Sequence, residues 1–304
     1  MTYDIMIIGA GPAGLTAGIY AARAGLNAVI FEKAFAGGQV TKTDLIENYP
    51  GVASITGIDF ALQMQAHAEE AGAKIMTVDI DRVDFSGGIK KVFAENEMYE
   101  GKTVILAMGA QPRKLDLESE LRLAGKGVSY CATCDGAFFR GKDVAVIGGG
   151  DTAAEDALYL SNIVNKVYMV HRRDALRAEQ YLADRINKTG NIEMVWNATL
   201  SEITGENLVD GIRVLNKISG ETRAIPVSGT FIAVGMVPES EIVKGQVDID
   251  DAGYVVAGET CATSVPGVFA AGDIRSKKLR QIVTATADGA AAVAAVEEYL
   301  NKLG

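Results

Sequence analysis

An α/β fold made from two copies of one βαβ unit, the second copy inserted into the first, is predicted by three features of this chain. Two glycine-rich turns, Gly9-Ala10-Gly11-Pro12-Ala13-Gly14 and Gly148-Gly149-Gly150-Asp151-Thr152-Ala153, each follow a short apolar run and precede a helical stretch. The residue that ends the next strand stands the same number of positions downstream in both copies, Glu32 after Gly9 and His171 after Gly148. Further along, each copy is followed by an apolar run into glycine, Val104-Ile105-Leu106-Ala107-Met108-Gly109 in the first and Phe231-Ile232-Ala233-Val234-Gly235 in the second. Matched landmarks of this kind indicate two Rossmann-like dinucleotide-binding domains.

In chain order, residues 3–8 read as an apolar strand, 13–24 as a helix ending at Gly25, and 28–31 as a second strand with Glu32 at its end. Downstream, 143–147 form a strand, 152–161 a helix, and 166–170 a strand that runs into His171-Arg172-Arg173. The chain then returns through Val268-Phe269-Ala270-Ala271-Gly272-Asp273, another strand and turn, to an alanine-rich helix over 281–301. This last stretch is assigned to the first unit. The expected organisation is therefore a first domain of residues 1–113 and 244–304, with residues 114–243 inserted, and Pro112 and Pro238 beside the two crossings.

At 304 residues, with 48% hydrophobic and 22% charged residues, the chain is long enough for two globular domains. Its formal net charge of -10 argues against an electrostatic grip on nucleic acid or anionic lipid. The start Met1-Thr2-Tyr3-Asp4 lacks a basic leader, and the alanine-rich tail is broken by Asp288, so neither export nor a membrane span is expected. A cytoplasmic protein follows, in a compartment where cysteines stay reduced.

Against that background the pair Cys131-Ala132-Thr133-Cys134, followed by Asp135, points to redox chemistry. Zinc is the weaker alternative and no metal is expected, because a second ligand pair is missing and His171 is the sole histidine beyond residue 67. Opening a disulfide requires a proton for the leaving thiolate, and Asp135 stands beside Cys134 to handle it. Cys261 reads as a buried small hydrophobe and His67 as a solvated surface residue.

Each glycine turn lets the backbone approach a pyrophosphate, whose charge is met by amides at the helix start. Glu32 then suits a ribose hydroxyl. In the second copy its place is taken by His171-Arg172-Arg173, with Arg177 shortly after, and guanidinium groups there accept the 2′-phosphate of NADPH that an acid would repel. A nicotinamide gives up a hydride whereas thiols exchange as thiolates, so a flavin is expected between them, which assigns FAD to the first unit.

With these residues in hand, the chain resembles the low-molecular-weight, bacterial-type thioredoxin reductases almost end to end. The resemblance rests on Gly9 to Gly14, Gly37-Gly38-Gln39, Glu47-Asn48-Tyr49-Pro50-Gly51, the CATCD cluster, the GGGDTAAE run from Gly148, the HRRDALRA run from His171, and the AAGD run from Ala270. It implies a homodimeric FAD enzyme that uses NADPH to reduce the disulfide of thioredoxin. It also implies that FAD contacts Gly9, Gly11, Pro12, Ala13, Gly14, Glu32, Gly37, Gly38, Gln39, Asn48, Gly109 and Asp273, with Arg280, Gln281 and Ile282 near the isoalloxazine. NADPH contacts are implied at Gly148, Gly149, Gly150, Asp151, Thr152, His171, Arg172, Arg173 and Arg177. Cys134 is implied to lie nearer the flavin, and the inserted domain to rotate on its two linkers. Which cysteine attacks the acceptor stays open, as does a glutaredoxin-like or peroxiredoxin-linked acceptor; a non-catalytic flavin-binding redox sensor is a remote alternative.

Overall fold

The first strand, β1 (Thr2–Ile8), has Ile5, Met6 and Ile7 fully buried, as expected of a parallel strand covered on both faces. A computed structural model describes residues 2–43 and 45–303 of the chain. After β1, helix α1 (Pro12–Arg23) opens on a proline, whose missing N–H has no partner to lose at that position. Next come β2 (Ala28–Glu32), α2 (Gly57–Glu70), β3 (Lys74–Thr77), β4 (Arg82–Asp84), β5 (Lys90–Ala94), β6 (Glu97–Leu106) and β7 (Ala110–Pro112). Thr56 caps α2 by accepting from the Asp59 N–H.

The second stretch holds α3 (Glu118–Arg122), β8 (Val128–Ser129), α4 (Ala132–Asp135), β9 (Asp143–Gly148), α5 (Asp151–Ser161), β10 (Lys166–Val170), α6 (Gln180–Lys188) and β11 (Ile192–Val195). It continues with β12 (Ala198–Thr204), β13 (Gly211–Asn216), β14 (Thr222–Pro226), β15 (Gly229–Ala233) and β16 (Met236–Pro238). The chain then returns with β17 (Val268–Ala270) and α7 (Ile282–Leu303).

Compact packing divides the chain into Met1–Gln111 with Val237–Gly304, and Pro112–Met236. The first unit carries a sheet in the order β3-β2-β1-β6-β5-β4, with β17 also beside β6. Strands β1, β2, β3 and β17 run parallel to their neighbours, whereas β4, β5 and the first half of β6 form an antiparallel ladder. The second unit carries the parallel sheet β11-β10-β9-β15-β8 and a separate antiparallel sheet β12-β13-β14. Strand alternation sorts the first core: Ile5 and Ile7 pack with Leu15 and Val293, while Met6 and Ile8 pack with Phe31 and Leu106.

On the sequence the returning crossing lies after residue 243, yet the compact division lies after Met236. The difference has a packing cause: Val243 is fully buried in the cluster that holds Met6 and Val268 of the first unit. The two antiparallel ladders are also additions to the sequence-based outline.

The duplication reaches the atoms. Strand β1 lies beside β6, with Ile8 level with Leu106, and β9 lies beside β15, with Gly148 level with Ala233. A methyl group on Gly9 would stand 2.5 Å from the Ala107 carbonyl oxygen, and one on Gly148 would stand 2.3 Å from the Ala233 carbonyl oxygen. Both distances are inside van der Waals contact, so each turn can pass the neighbouring strand end because it has glycine there.

Helix α7 seals the first unit by equally close contact. A Cβ on Gly289 would meet the Ala13 carbonyl oxygen at 2.3 Å and Thr16 Cβ at 3.0 Å. Gly289→Ala should therefore destabilise the first unit by about 1–3 kcal/mol, read as a lower urea midpoint for its unfolding; an unchanged midpoint would contradict this packing.

Candidate active site

The first glycine turn gathers residues far apart in sequence. Glu32 Oε2 accepts the Ala10 N–H at 2.8 Å and its Oε1 accepts the Ala34 N–H at 3.1 Å. Gly37 donates its N–H to the Ala10 carbonyl at 2.7 Å. Around Gly11 a Cβ would meet nothing within 4 Å, which leaves the start of α1 open on that side. Gly38 and Gln39 continue from Gly37 in a short 3-10 helix, and Gly109 follows β6, its carbonyl accepting the Glu239 N–H. Asn48 Nδ2 donates to Gln281 Oε1 at 3.1 Å, joining two implied flavin contacts, and Arg280 lies over the Tyr254 ring at 4.0 Å. Ile282 begins α7 and packs on the cluster of Val40, Ile46 and Phe60.

Asp273 lies on the turn after β17, next to Gly272, whose added Cβ would touch Ala13 Cβ at 2.8 Å. Burial raises its carboxyl above the usual carboxylate range, against the pull of Lys277 and Arg280. Its Oδ1 is buried with no hydrogen-bond donor, and Lys277 Nζ stands 3.7 Å away. These groups fit a flavin dinucleotide: open amides at a helix start for the pyrophosphate, a carboxylate for the ribose, and a buried acceptor with capacity to spare.

In the second unit the corresponding turn is built differently at one place. Gly150, like Gly11, would have open space around a Cβ, but a Cβ on Gly149 would stand 2.1 Å from His171 Nδ1. His171 is buried behind that turn rather than displayed with Arg172, Arg173 and Arg177, which are exposed. The Arg177 N–H donates to the Gly149 carbonyl at 2.7 Å, and Asp151 Oδ1 accepts the Glu179 N–H at 2.7 Å, so the arginine-bearing loop is tied to the start of α5. Thr152 is exposed in the first turn of that helix. The three guanidinium groups and the open glycine fit a phosphorylated dinucleotide.

Cys131 and Cys134 are joined in a disulfide, their Cα atoms 5.3 Å apart, with Cys131 at the position just before the first residue of α4. Ser129 organises this segment: its buried hydroxyl donates to Asp135 Oδ2, and its oxygen accepts the Cys131 N–H at 3.1 Å. Behind it, the fully buried Glu120 accepts from Tyr130 Oη at 2.8 Å and from the Leu115 N–H at 2.9 Å. Burial and the Glu120 carboxylate push the Tyr130 phenol well above its ordinary range. Ser129, Glu120 and Tyr130 were invisible to motif reading, because no spacing rule links a serine or a glutamate to a downstream cysteine pair.

The dithiol precedes the second glycine turn in sequence but is not beside it in space. A Cβ on Gly136, just after α4, would meet Tyr159 and Leu160 in the last turns of α5. That contact lies about 12 Å along α5 from its first residue, at about 1.5 Å per residue. Among the described residues no group of three or more His, Cys, Asp or Glu could hold a metal ion, and no helix is long and apolar enough to cross a membrane.

A reversible disulfide with a carboxylate fixed beside it, carried by a chain with two dinucleotide-type turns, defines a nucleotide-dependent disulfide oxidoreductase. The model of the pyridine nucleotide-disulphide oxidoreductase family matches residues 3–289, and the chain belongs to that family. The thioredoxin reductase of Listeria monocytogenes is 44% identical over 302 residues, which is 99% of this chain and 95% of that protein. The crystal structure of thioredoxin reductase from Streptococcus pyogenes matches with a TM-score of 0.93 at 42% identity, covering 99% of both chains. A bifunctional thioredoxin reductase/thioredoxin of Mycobacterium leprae is 44% identical over 301 residues, 98% of this chain and 66% of that protein.

His171 offers a pH readout within the second unit. Burial first, then the charges of Arg177, Arg173 and Arg172, lower its pKa from the ordinary 6.5, while a backbone bond at Ala175 pulls the other way. The fold holds the neutral ring, so the stability it contributes is complete above the ordinary value and is lost as pH falls through the lower folded value. Its ring lies 6.3 Å from that of Trp196, the one tryptophan of the chain. Titration of Trp196 emission should show a step centred below the ordinary imidazole value; a midpoint at or above 6.5 would contradict the burial of His171.

Proposed function

We propose that this protein is an NADPH-dependent flavoprotein that reduces the disulfide of thioredoxin. The observation that carries this reading is the Cys131–Cys134 disulfide with Asp135 held by Ser129, in a chain alignable end to end with thioredoxin reductases. Bound FAD would supply the two-electron chemistry that connects a nicotinamide hydride to a disulfide. The separation of the dithiol from the second glycine turn along α5 supports the need for such a mediator.

The chain's own residues then have distinct tasks. Gly9 to Gly14 and the start of α1 bind the flavin's pyrophosphate, and Glu32 accepts from its ribose. Gly37, Gly38, Gln39, Asn48, Gly109 and Asp273 complete that site, with Arg280, Gln281 and Ile282 at its flavin end. Gly148 to Thr152 receive the pyrophosphate of NADPH, while Arg172, Arg173 and Arg177 meet its 2′-phosphate. His171 backs this turn from behind Gly149.

Two-electron reduction breaks the Cys131–Cys134 bond and leaves two thiolates, and Asp135 passes a proton to the Cys134 sulfur, giving one thiol and one thiolate. The dithiol then exchanges with the thioredoxin disulfide, which becomes a dithiol as the Cys131–Cys134 bond re-forms. The Mycobacterium leprae relative, whose name joins thioredoxin reductase to thioredoxin, supports thioredoxin as acceptor. The family resemblance also carries the proposal of a homodimer and of a cytoplasmic location.

Steady-state NADPH oxidation should depend on added thioredoxin. Cys134→Ser should leave reduction of the flavin by NADPH intact and abolish this turnover; loss of both would overturn the order of the relay. Arg172→Ala combined with Arg173→Ala should raise the NADPH Michaelis constant by about tenfold or more, since hydrogen bonds between charged groups contribute about 1.5–3 kcal/mol. The constant for NADH should barely move, and equal effects on both nucleotides would show that the arginines do not read the 2′-phosphate.

A further inference from the structure

Asp288, on α7, is a buried carboxylate, 6% exposed, that the relay above does not use. Its Oδ2 accepts the backbone N–H of Gly272 at 2.9 Å, Arg275 Nε at 2.8 Å and Lys277 Nζ at 2.9 Å, and its Oδ1 accepts Arg275 Nη2 at 2.7 Å. Burial alone would raise this carboxyl, but Arg275 and Lys277 outweigh it and hold it below the usual carboxylate range. Lys277 stands between two acids, 2.9 Å from Asp288 Oδ2 and 3.7 Å from Asp273 Oδ1. Two carboxylates and two cations thus form a small, largely buried network in which each charge depends on its partners.

Its position gives it a purpose. Gly289, the next residue, seats α7 against the Ala13 carbonyl, and Gly272 packs against Ala13 Cβ. The start of α1, the turn carrying Asp273, and α7 therefore converge around Asp288. Arg275 Nη1 also donates to the Ala257 and Gly258 carbonyls at 3.3 and 3.4 Å, tying a fourth stretch to the same carboxylate.

We propose that Asp288 is a positioning residue for the flavin nucleotide. It holds the Gly272 turn and Lys277 so that Asp273 stands at a fixed place beside the start of α1. The proposal rests on the reading that the first unit binds FAD. Loss of the Asp288 charge leaves Arg275 without its carboxylate and Lys277 with Asp273 alone, and loosens the turn.

The test is titration of the deflavinated full-length chain with FAD, followed by flavin absorbance and fluorescence. Asp288→Asn keeps the size of the side chain and should weaken FAD binding by about tenfold or more, the scale found when groups that orient direct ligands of a site are removed. At saturating FAD its bound flavin should also fluoresce differently from that of the parent, a signature that loss of overall stability would not produce. Lys277→Met leaves the Gly272 clamp in place, should weaken binding in the same sense, and decides the matter alone if Asp288→Asn fails to fold. Folded variants that bind FAD like the parent, with the parent's spectrum, would overturn the role of Asp288. A parent chain that takes up no FAD would instead overturn the flavin reading itself.

Discussion

Backbone pressed on backbone at the end of the first strand of each unit is the constraint from which the rest follows. Gly9 and Gly148 pass the carbonyl oxygens of Ala107 and Ala233 at distances that exclude any side chain. Within the first turn, a Cβ on Gly14 would lie 1.8 Å from the Gly9 carbonyl oxygen. With the turn so tightly held, the start of the following helix is directed outward, and Gly11 and Gly150 leave its amides open. An anion placed there meets several N–H groups and the positive end of the helix dipole without any reorganisation.

On this shared frame the units diverge at one matched pair of positions. In the first, the Glu32 carboxylate accepts the Ala10 N–H, which fixes an acid beside the open turn. In the second, His171 occupies the space beside Gly149, and its backbone carries Arg172 and Arg173 to the exposed side. The imidazole fills the place of the acid while the charge passes to its neighbours. On the proposed reading, that substitution lets one duplicated frame serve two dinucleotides of different phosphate content.

Much of this was legible in the sequence. The glycine turns, the matched spacing to Glu32 and His171, and the cysteine pair with Asp135 all lie in short local patterns whose chemistry depends on residue type and order. Other features depend on residues that meet after folding. Ser129 gains its role from the hydrogen bond to Asp135, and Asp288 from cations on a segment that reaches it through α7 packing. Gly149 looks like one more glycine of a motif until His171 is seen to fill the space where its side chain would be. The compact division differs from the sequence-based crossing for the same reason: Val243 follows Pro238 as an ordinary apolar residue, and its burial with Met6 and Val268 emerges only on folding.

The chain joins an open glycine turn backed by a buried charge network, a second turn flanked by arginines, and a disulfide with a nearby carboxylate held by a serine. On the proposed relay, each chain stores electrons in two places, a bound flavin and the Cys131–Cys134 pair. Anaerobic reductive titration of the purified holoprotein measures this directly. Uptake of two electron pairs per chain, falling to one pair in a Cys131→Ser variant, is the predicted result. Uptake of a single pair by the parent chain would contradict the relay.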